Sequence, residues 1–201
     1  MNYPSDIAFS DSVKRVQAAR GSREAYARVE QRGWQTTVTA ELAAFIADMD
    51  SFYLATASAS GQPYIQHRGG PRGFLHVIDD RTLGFADFSG NRQYITTGNL
   101  AENDQAFIFL MDYYNRRRIK LWGHARIVND DDALLASLAP QDYKARVEQA
   151  VLFSIATWDV NCPQHIPEKV PAPLVAQAFA QYEDRIAALQ REIDALRMTA
   201  P

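Results

Sequence analysis

Apolar and polar positions follow three successive spacings along this chain. Before residue 50 the spacing is helical. It predicts a short helix near Ser12 to Arg20 after a polar lead-in, and a second over Arg23 to Gln31 that Gly33 stops. Thr39 is a good N-cap for a third, with Leu42, Phe45, Ile46 and Met49 on one face. From Ser51 the pattern is that of strands. Ser51 to Ser58, rich in Phe, Tyr, Leu and Thr, reads as a strand, Ala59 to Gln62 as a hairpin turn, and Pro63 to Arg68 as the return strand. The glycine- and proline-rich Gly69 to Gly73 interrupts. Phe74 to Ile78 and Thr82 to Asp87 follow as strands around a turn at Asp79 to Arg81. A helix is expected over Arg92 to Leu100, a buried strand over Ala106 to Met111, and a long strand over Arg116 to Val128 in which Gly123 marks a bend or bulge. Asp130 to Leu138 and Pro140 to Gln149 read as helical, and Val151 to Asp159 as a last apolar strand.

Short strands joined by tight turns, with few helical interruptions, argue for a closed or nearly closed antiparallel barrel. Without repeated strand-helix alternation, a doubly wound parallel sheet is not expected.

The third spacing begins after Pro171 and Pro173. Beyond them Val175, Phe179, Tyr182, Ile186, Leu189, Ile193 and Leu196 follow a 4-3-4-3-4-3 spacing. That is a heptad seam over about three heptads. Arg185, Gln190, Arg191, Glu192 and Asp194 fill positions between. Such a helix either lays its stripe on its own barrel or pairs with its copy in a homodimer. Three segments result: a helical lead-in over residues 1–50, a barrel over 51–166, and a C-terminal helix over 167–201 that is a candidate dimer contact.

Composition narrows the class. The 201 residues are 47% hydrophobic, enough for a sizeable core, and the net charge of -3 lacks the basic surplus of a general nucleic-acid binder. The one cysteine, Cys162, cannot form an internal disulfide, so a cytoplasmic protein is expected. Met1 to Arg20 holds charges and no long apolar run, unlike a signal peptide or membrane anchor.

Four segments carry candidate chemistry. In Phe85 to Tyr94 a strand meets a small polar turn, Ser89-Gly90-Asn91-Arg92, before a helix. Helix-start N–H groups and an arginine fork attract phosphate, although the same pattern also makes an ordinary surface turn. It lacks the glycine patterns of a P-loop or dinucleotide fold. The second segment, Gln66-His67-Arg68-Gly69-Gly70-Pro71-Arg72-Gly73, is either a solvated loop or a place where glycines admit a flat ring. In the third, Arg116, Arg118 and Lys120 share one strand face, which is either a solvated edge or suited to an anion. The fourth is Trp158 to His165. Trp158 is placed to stack on a ring, and Asn161 and Gln164 both donate and accept hydrogen bonds. The CxxH pair Cys162 and His165 is too small a set for a metal centre, and no metal is expected. Nothing marks a general base, so no catalytic residue is assigned.

The order of these motifs resembles the pyridoxamine 5′-phosphate oxidase-like, FMN-binding split-barrel family. It rests on the Arg-Gly-Gly loop, Phe-Ala-Asp-Phe-Ser-Gly-Asn-Arg-Gln, the Arg-Ile-Lys-Leu-Trp-Gly-His strand and Asn-Cys-Pro-Gln-His, over roughly residues 40–165. The resemblance implies a six-stranded antiparallel split barrel, mainly β with flanking helices, and a homodimer with FMN at its interface. It implies that Asn91, Arg92 and Gln93 grip the FMN phosphate, beside Asp87 and Ser89. It places Arg118 as a polar ligand with Lys120 near it, His67, Arg68, Gly69 and Gly70 at the first flavin-contacting strand, and Trp158 and Asn161 in the flavin region. The implied activity is an FMN-dependent oxidoreductase acting on a small molecule or NAD(P)H. The alternatives are a non-catalytic flavin-binding dimer module, or the same fold with F420 or haem. Two departures separate the chain from true oxidases. Gln93 stands where they carry lysine, and Met198 to Pro201 replaces their Arg-Leu-x-Pro tail.

Overall fold

A computed structural model describes residues 3–199, so the Ala200-Pro201 end of the tail lies outside the described residues. After a single 3-10 turn at Pro4–Ile7 come α1 (Asp11–Ala19), α2 (Arg23–Arg32) and α3 (Ala40–Ala47). Then follow β1 (Ser51–Ala57), β2 (Pro63–Gly69), β3 (His76–Val77), β4 (Thr82–Phe88), α4 (Ile95–Glu102), β5 (Gln105–Asp112), β6 (Arg117–Val128), α5 (Asp132–Leu138), β7 (Val147–Val160) and α6 (Ala172–Thr199). The chain divides into two units, one of residues 1–112 with 117–163 and one of 113–116 with 164–201.

The first unit is built on one antiparallel sheet in the order β2-β1-β5-β6-β7-β4-β3. The expected fold class is observed, six substantial strands with a two-residue seventh at the edge. Alternation puts Phe52, Leu54 and Thr56 of β1, Ile108 and Leu110 of β5, and Ile119 and Leu121 of β6 on the buried face. There they meet Leu83 and Phe85 of β4, Val151 and Phe153 of β7, and Leu42, Phe45 and Ile46 of α3. Thr39 caps α3 as expected, its Oγ1 accepting the Leu42 N–H at 3.2 Å.

The sheet also curls. In the ladder β1 and β4 are separated by three strands. Yet the rings of Phe52 and Phe85 lie 5.1 Å apart, so the two ends of the sheet face each other over one core. Gly123 marks the bulge its sequence suggests, where the β6–β7 register shifts between Trp122 and Gly123. A Cβ there would lie 2.1 Å from the Ser154 carbonyl oxygen.

Three expectations need correction. Pro140 to Gln149 is not a helix: β7 begins at Val147, because Val147 and Gln149 pair with Phe88 and Asp87 of β4. The third strand shrinks to His76–Val77, since the Phe74 N–H closes a turn onto Pro71 and Phe74 and Leu75 turn into the core. Arg116 does not share the Arg118 face, because it sits in the β5–β6 turn with φ 52.

In the second unit α6 runs through the whole heptad stretch, with Pro173 in its first turn, where proline is tolerated. Lys169 Nζ lies 3.9 Å from the centre of the Tyr113 ring. No helix among the described residues is long and apolar enough to cross a membrane.

Candidate functional site

A cleft opens where the curled sheet brings β2 opposite β4. Along β2 the side chains of Tyr64, Gln66 and Arg68 share one face by strand parity, and all three line it. From β4 come Asp87 and Phe88, and from the following turn Gly90, Asn91, Arg92, Gln93 and Tyr94. Ile95, Thr96 and Thr97 of the first α4 turn and Glu148 of β7 complete the wall. A second cavity shares Gln66, Arg68, Asp87 and Phe88 with the first and extends to His67, Gly69, Phe74 and Phe85.

Two sets of side-chain hydrogen bonds cross the cleft. Arg68 Nη1 donates to Asp87 Oδ1, an ion pair of two largely buried side chains. Gln149 Nε2 donates to Asp87 Oδ2 at 2.9 Å and reaches Thr97 Oγ1 at 3.0 Å. Thr96 Oγ1 donates to Gln66 Oε1 at 3.1 Å. These contacts tie β2, β4, β7 and α4 together around the cleft. Arg68 Nε is buried there with no hydrogen-bond partner among the described residues. A buried donor left unpaired is costly, so this atom suits an acceptor supplied by a ligand.

The turn differs from its expected form. The helix begins at Ile95, not Arg92, because Arg92 (φ 59) and Tyr94 (φ 55) both adopt left-handed backbone. Asn91 Oδ1 accepts the Gln93 N–H at 3.2 Å, an Asx turn that shapes the loop. Arg92 Nε donates to the Tyr94 hydroxyl at 3.1 Å. That bond, together with the nearby Glu148 carboxylate, raises the Arg92 pKa further and keeps its charge. Tyr94, the N-cap of α4, gives no side-chain cap, and the first N–H groups of the helix have no intrahelical partner. Loop, guanidinium and helix start present N–H donors of the kind that attract an anion.

The cleft therefore gathers Arg68, Gly69, Asp87, Asn91, Arg92 and Gln93 of the expected set, with the His67 backbone strand beside them. The others lie elsewhere or are already engaged. Ser89 gives its hydroxyl to Glu148 Oε1 at 3.0 Å. Gly70 has a packing reason: a Cβ would come 2.7 Å from the Phe74 ring, so the close approach is by Phe74. Trp158 is 6% exposed and belongs to the core, its indole N–H donating to the Thr37 carbonyl at 2.8 Å. Lys120 is paired with Asp159 at 2.9 Å and lies 5.6 and 5.2 Å from the centres of the Trp34 and Trp122 rings. Asn161, just past β7, donates its backbone N–H to the Arg118 carbonyl of β6 at 3.1 Å, and its Oδ1 accepts the Cys162 N–H at 3.1 Å. Arg118 is half-buried on the outer face of β6, and its Nε also lacks a partner among the described residues. Cys162 is exposed. Sequence reasoning missed Tyr64, Tyr94, Thr96, Thr97 and Gln149. Only Tyr64 carried a signal, its even spacing with Gln66 and Arg68.

A family model for pyridoxamine 5′-phosphate oxidase matches residues 38–171. The chain belongs to this family. Among solved structures, HupZ from Group A Streptococcus is 18% identical with a TM-score of 0.51, covering 66% of this chain and 99% of that one. A putative pyridoxamine 5′-phosphate oxidase from Lactobacillus delbrueckii is 20% identical (TM-score 0.48), covering 62% of this chain and 95% of that one. An FMN-binding protein from Syntrophomonas wolfei is 16% identical (TM-score 0.47), covering 72% and 97%. No curated protein matches the chain significantly.

Proposed function

We propose that this member of the pyridoxamine 5′-phosphate oxidase family binds FMN in the β2–β4 cleft and serves as an FMN-dependent oxidoreductase of the cytoplasm. One observation carries the reading: a cradle of Asn91, charged Arg92, Gln93 and the start of α4 opens into the same cleft as the buried, unpartnered Arg68 Nε. The residues fit a ligand that is a dianion at one end and a polar-edged ring at the other. Bound FMN would accept and return electrons or hydride from a small organic molecule or NAD(P)H. The chain's part is to hold it. Arg92 stays protonated and offers its remaining donors to phosphate oxygens. Asp87 and Gln149 fix the Arg68 guanidinium, so that Nε keeps one orientation. Two copies enclose the cofactor in this reading, residues 51–166 supply the barrel, and Arg118 is the donor held for the homodimer interface.

The test compares FMN with riboflavin, which lacks the phosphate, by quenching of flavin fluorescence. Arg92→Ala should weaken FMN binding about 10- to 100-fold, the loss of one charge-assisted contact, and leave riboflavin affinity unchanged. Equal FMN affinity in the two proteins would overturn the assignment. The visible spectrum of the purified protein, with the mass of the released cofactor, separates FMN from F420 or haem. NAD(P)H oxidation by the loaded protein separates an enzyme from a binding module.

A further inference from the structure

The seam of α6 has its own chemistry, independent of the cleft. Phe179, Ile186 and Ile193 occupy a positions, and Val175, Tyr182, Leu189 and Leu196 occupy d. Ile186 is 65% exposed, Phe179 64% and Tyr182 69%. The flanking e and g positions are polar over the last two heptads: Glu183, Gln190 and Arg197 at e, Arg185 and Glu192 at g. A helix that buries its stripe on a domain needs a wider face that takes in e or g. This one offers only the narrow a/d strip of a coiled coil.

We propose that α6 pairs with α6 of a second copy of this chain as a parallel, two-stranded coiled coil. β-Branched a residues with leucine at d, the arrangement of Ile186-Leu189 and Ile193-Leu196, favour two parallel strands. Charge supports the same partner. In a parallel pair each g residue faces e of the next heptad on the other helix. Glu192 then meets Arg197 of the second copy, twice by symmetry, and Arg185 meets Gln190 of the second copy. No like charges face each other. From Val175 to Leu196 the seam is about 32 Å long at 1.5 Å per residue, three heptads of contact. Parallel pairing also brings the two Ala172 ends together, as a twofold axis along the coil requires.

Disulfide trapping in the full chain, with Cys162→Ser as background, tests both the seam and its direction. In a parallel coil each d residue meets itself across the axis. Leu189→Cys should therefore cross-link to a dimer under mild oxidation, about tenfold or more faster than Arg191→Cys at the outward f position. Adding Ile193→Asp should abolish the Leu189→Cys cross-link. The result should be the same with and without FMN. Equal rates at positions 189 and 191, or no cross-link at 189, would overturn the proposal. So would a cross-link that forms only between an Ile186→Cys chain and a Leu189→Cys chain, the signature of antiparallel pairing.

Discussion

The Arg68–Asp87 pair joins β2, one edge of the seven-strand ladder, to β4, next to the other edge, so it acts as a clasp across the split of the barrel. Its side chains are 13% and 12% exposed. Removing one partner strands a charge where little water can reach it. Asp87→Ala leaves the Arg68 guanidinium unpaired and takes an acceptor from Gln149. Arg68→Met leaves the carboxylate with Gln149 alone, although the methionine keeps an apolar contact near the Phe85 ring, 5.9 Å from the present guanidinium carbon. Each single change should cost about 3–5 kcal/mol, the usual result of breaking a buried pair. That is a large share of the roughly 5–15 kcal/mol that holds a domain together. The double variant Arg68→Met/Asp87→Leu removes both charges and their desolvation penalty. It should return to within about 2 kcal/mol of the parent. Urea unfolding followed by tryptophan fluorescence gives all four stabilities, and the double-mutant cycle gives the coupling. The restored double variant should still bind FMN more weakly, because Arg68 Nε is gone. Additive losses from the two single changes would refute the clasp. Full FMN affinity in the stable double variant would refute the role of Arg68 in the cleft.

Two further outcomes follow from the barrel itself. Gly123→Ala should destabilise by about 1–3 kcal/mol or more, read as a lower urea midpoint, because its Cβ would meet the Ser154 carbonyl at 2.1 Å and the Phe153 ring at 2.8 Å. An unchanged midpoint would mean the bulge can open freely. Burial lowers the pKa of His76 below the ordinary 6.5, so the folded chain holds it neutral while the unfolded chain protonates it. Its contribution is therefore complete above that value and falls away as pH drops from 6.5 towards the folded pKa. His76→Gln should flatten the loss of stability in that window, and identical pH slopes of the two proteins would exclude the effect.

Much of the scaffold was legible because its signals are local. Thr39 announced α3 through its own side chain, and the Phe-, Tyr-, Leu- and Thr-rich run from Ser51 announced β1. Gly123 announced a bulge because no other residue fits beside the Ser154 carbonyl. The site was legible only in part, because its decisive relations are not local. Asp87 and Arg68 are 19 residues apart, and nothing in either segment says that the sheet curls to bring them together. Gln149 was hidden by a helical reading of its segment, which the pairing of Gln149 with Asp87 of β4 overrides. The polar turn Ser89-Gly90-Asn91-Arg92 stood out by composition, but the helix start after it was misplaced, since two non-glycine residues with positive φ leave no mark in a sequence.

Arg118 and Lys120 show where parity reasoning ends. They share one face of β6, as alternation requires. The N-terminal segment then divides that face. Trp34, 8% exposed, stacks on Trp122 at 5.0 Å, and Lys120 lies against both rings with its charge answered by Asp159. Arg118, two residues earlier, keeps a buried Nε without a partner among the described residues. Two cations of one face thus have different chemical availability, and the cause is a packing residue more than eighty positions upstream. Under the proposed function only Arg118 remains to meet an anionic or electron-rich group from outside the barrel. Arg118→Ala should then weaken flavin binding, while Lys120→Ala should lower stability and leave flavin affinity unchanged.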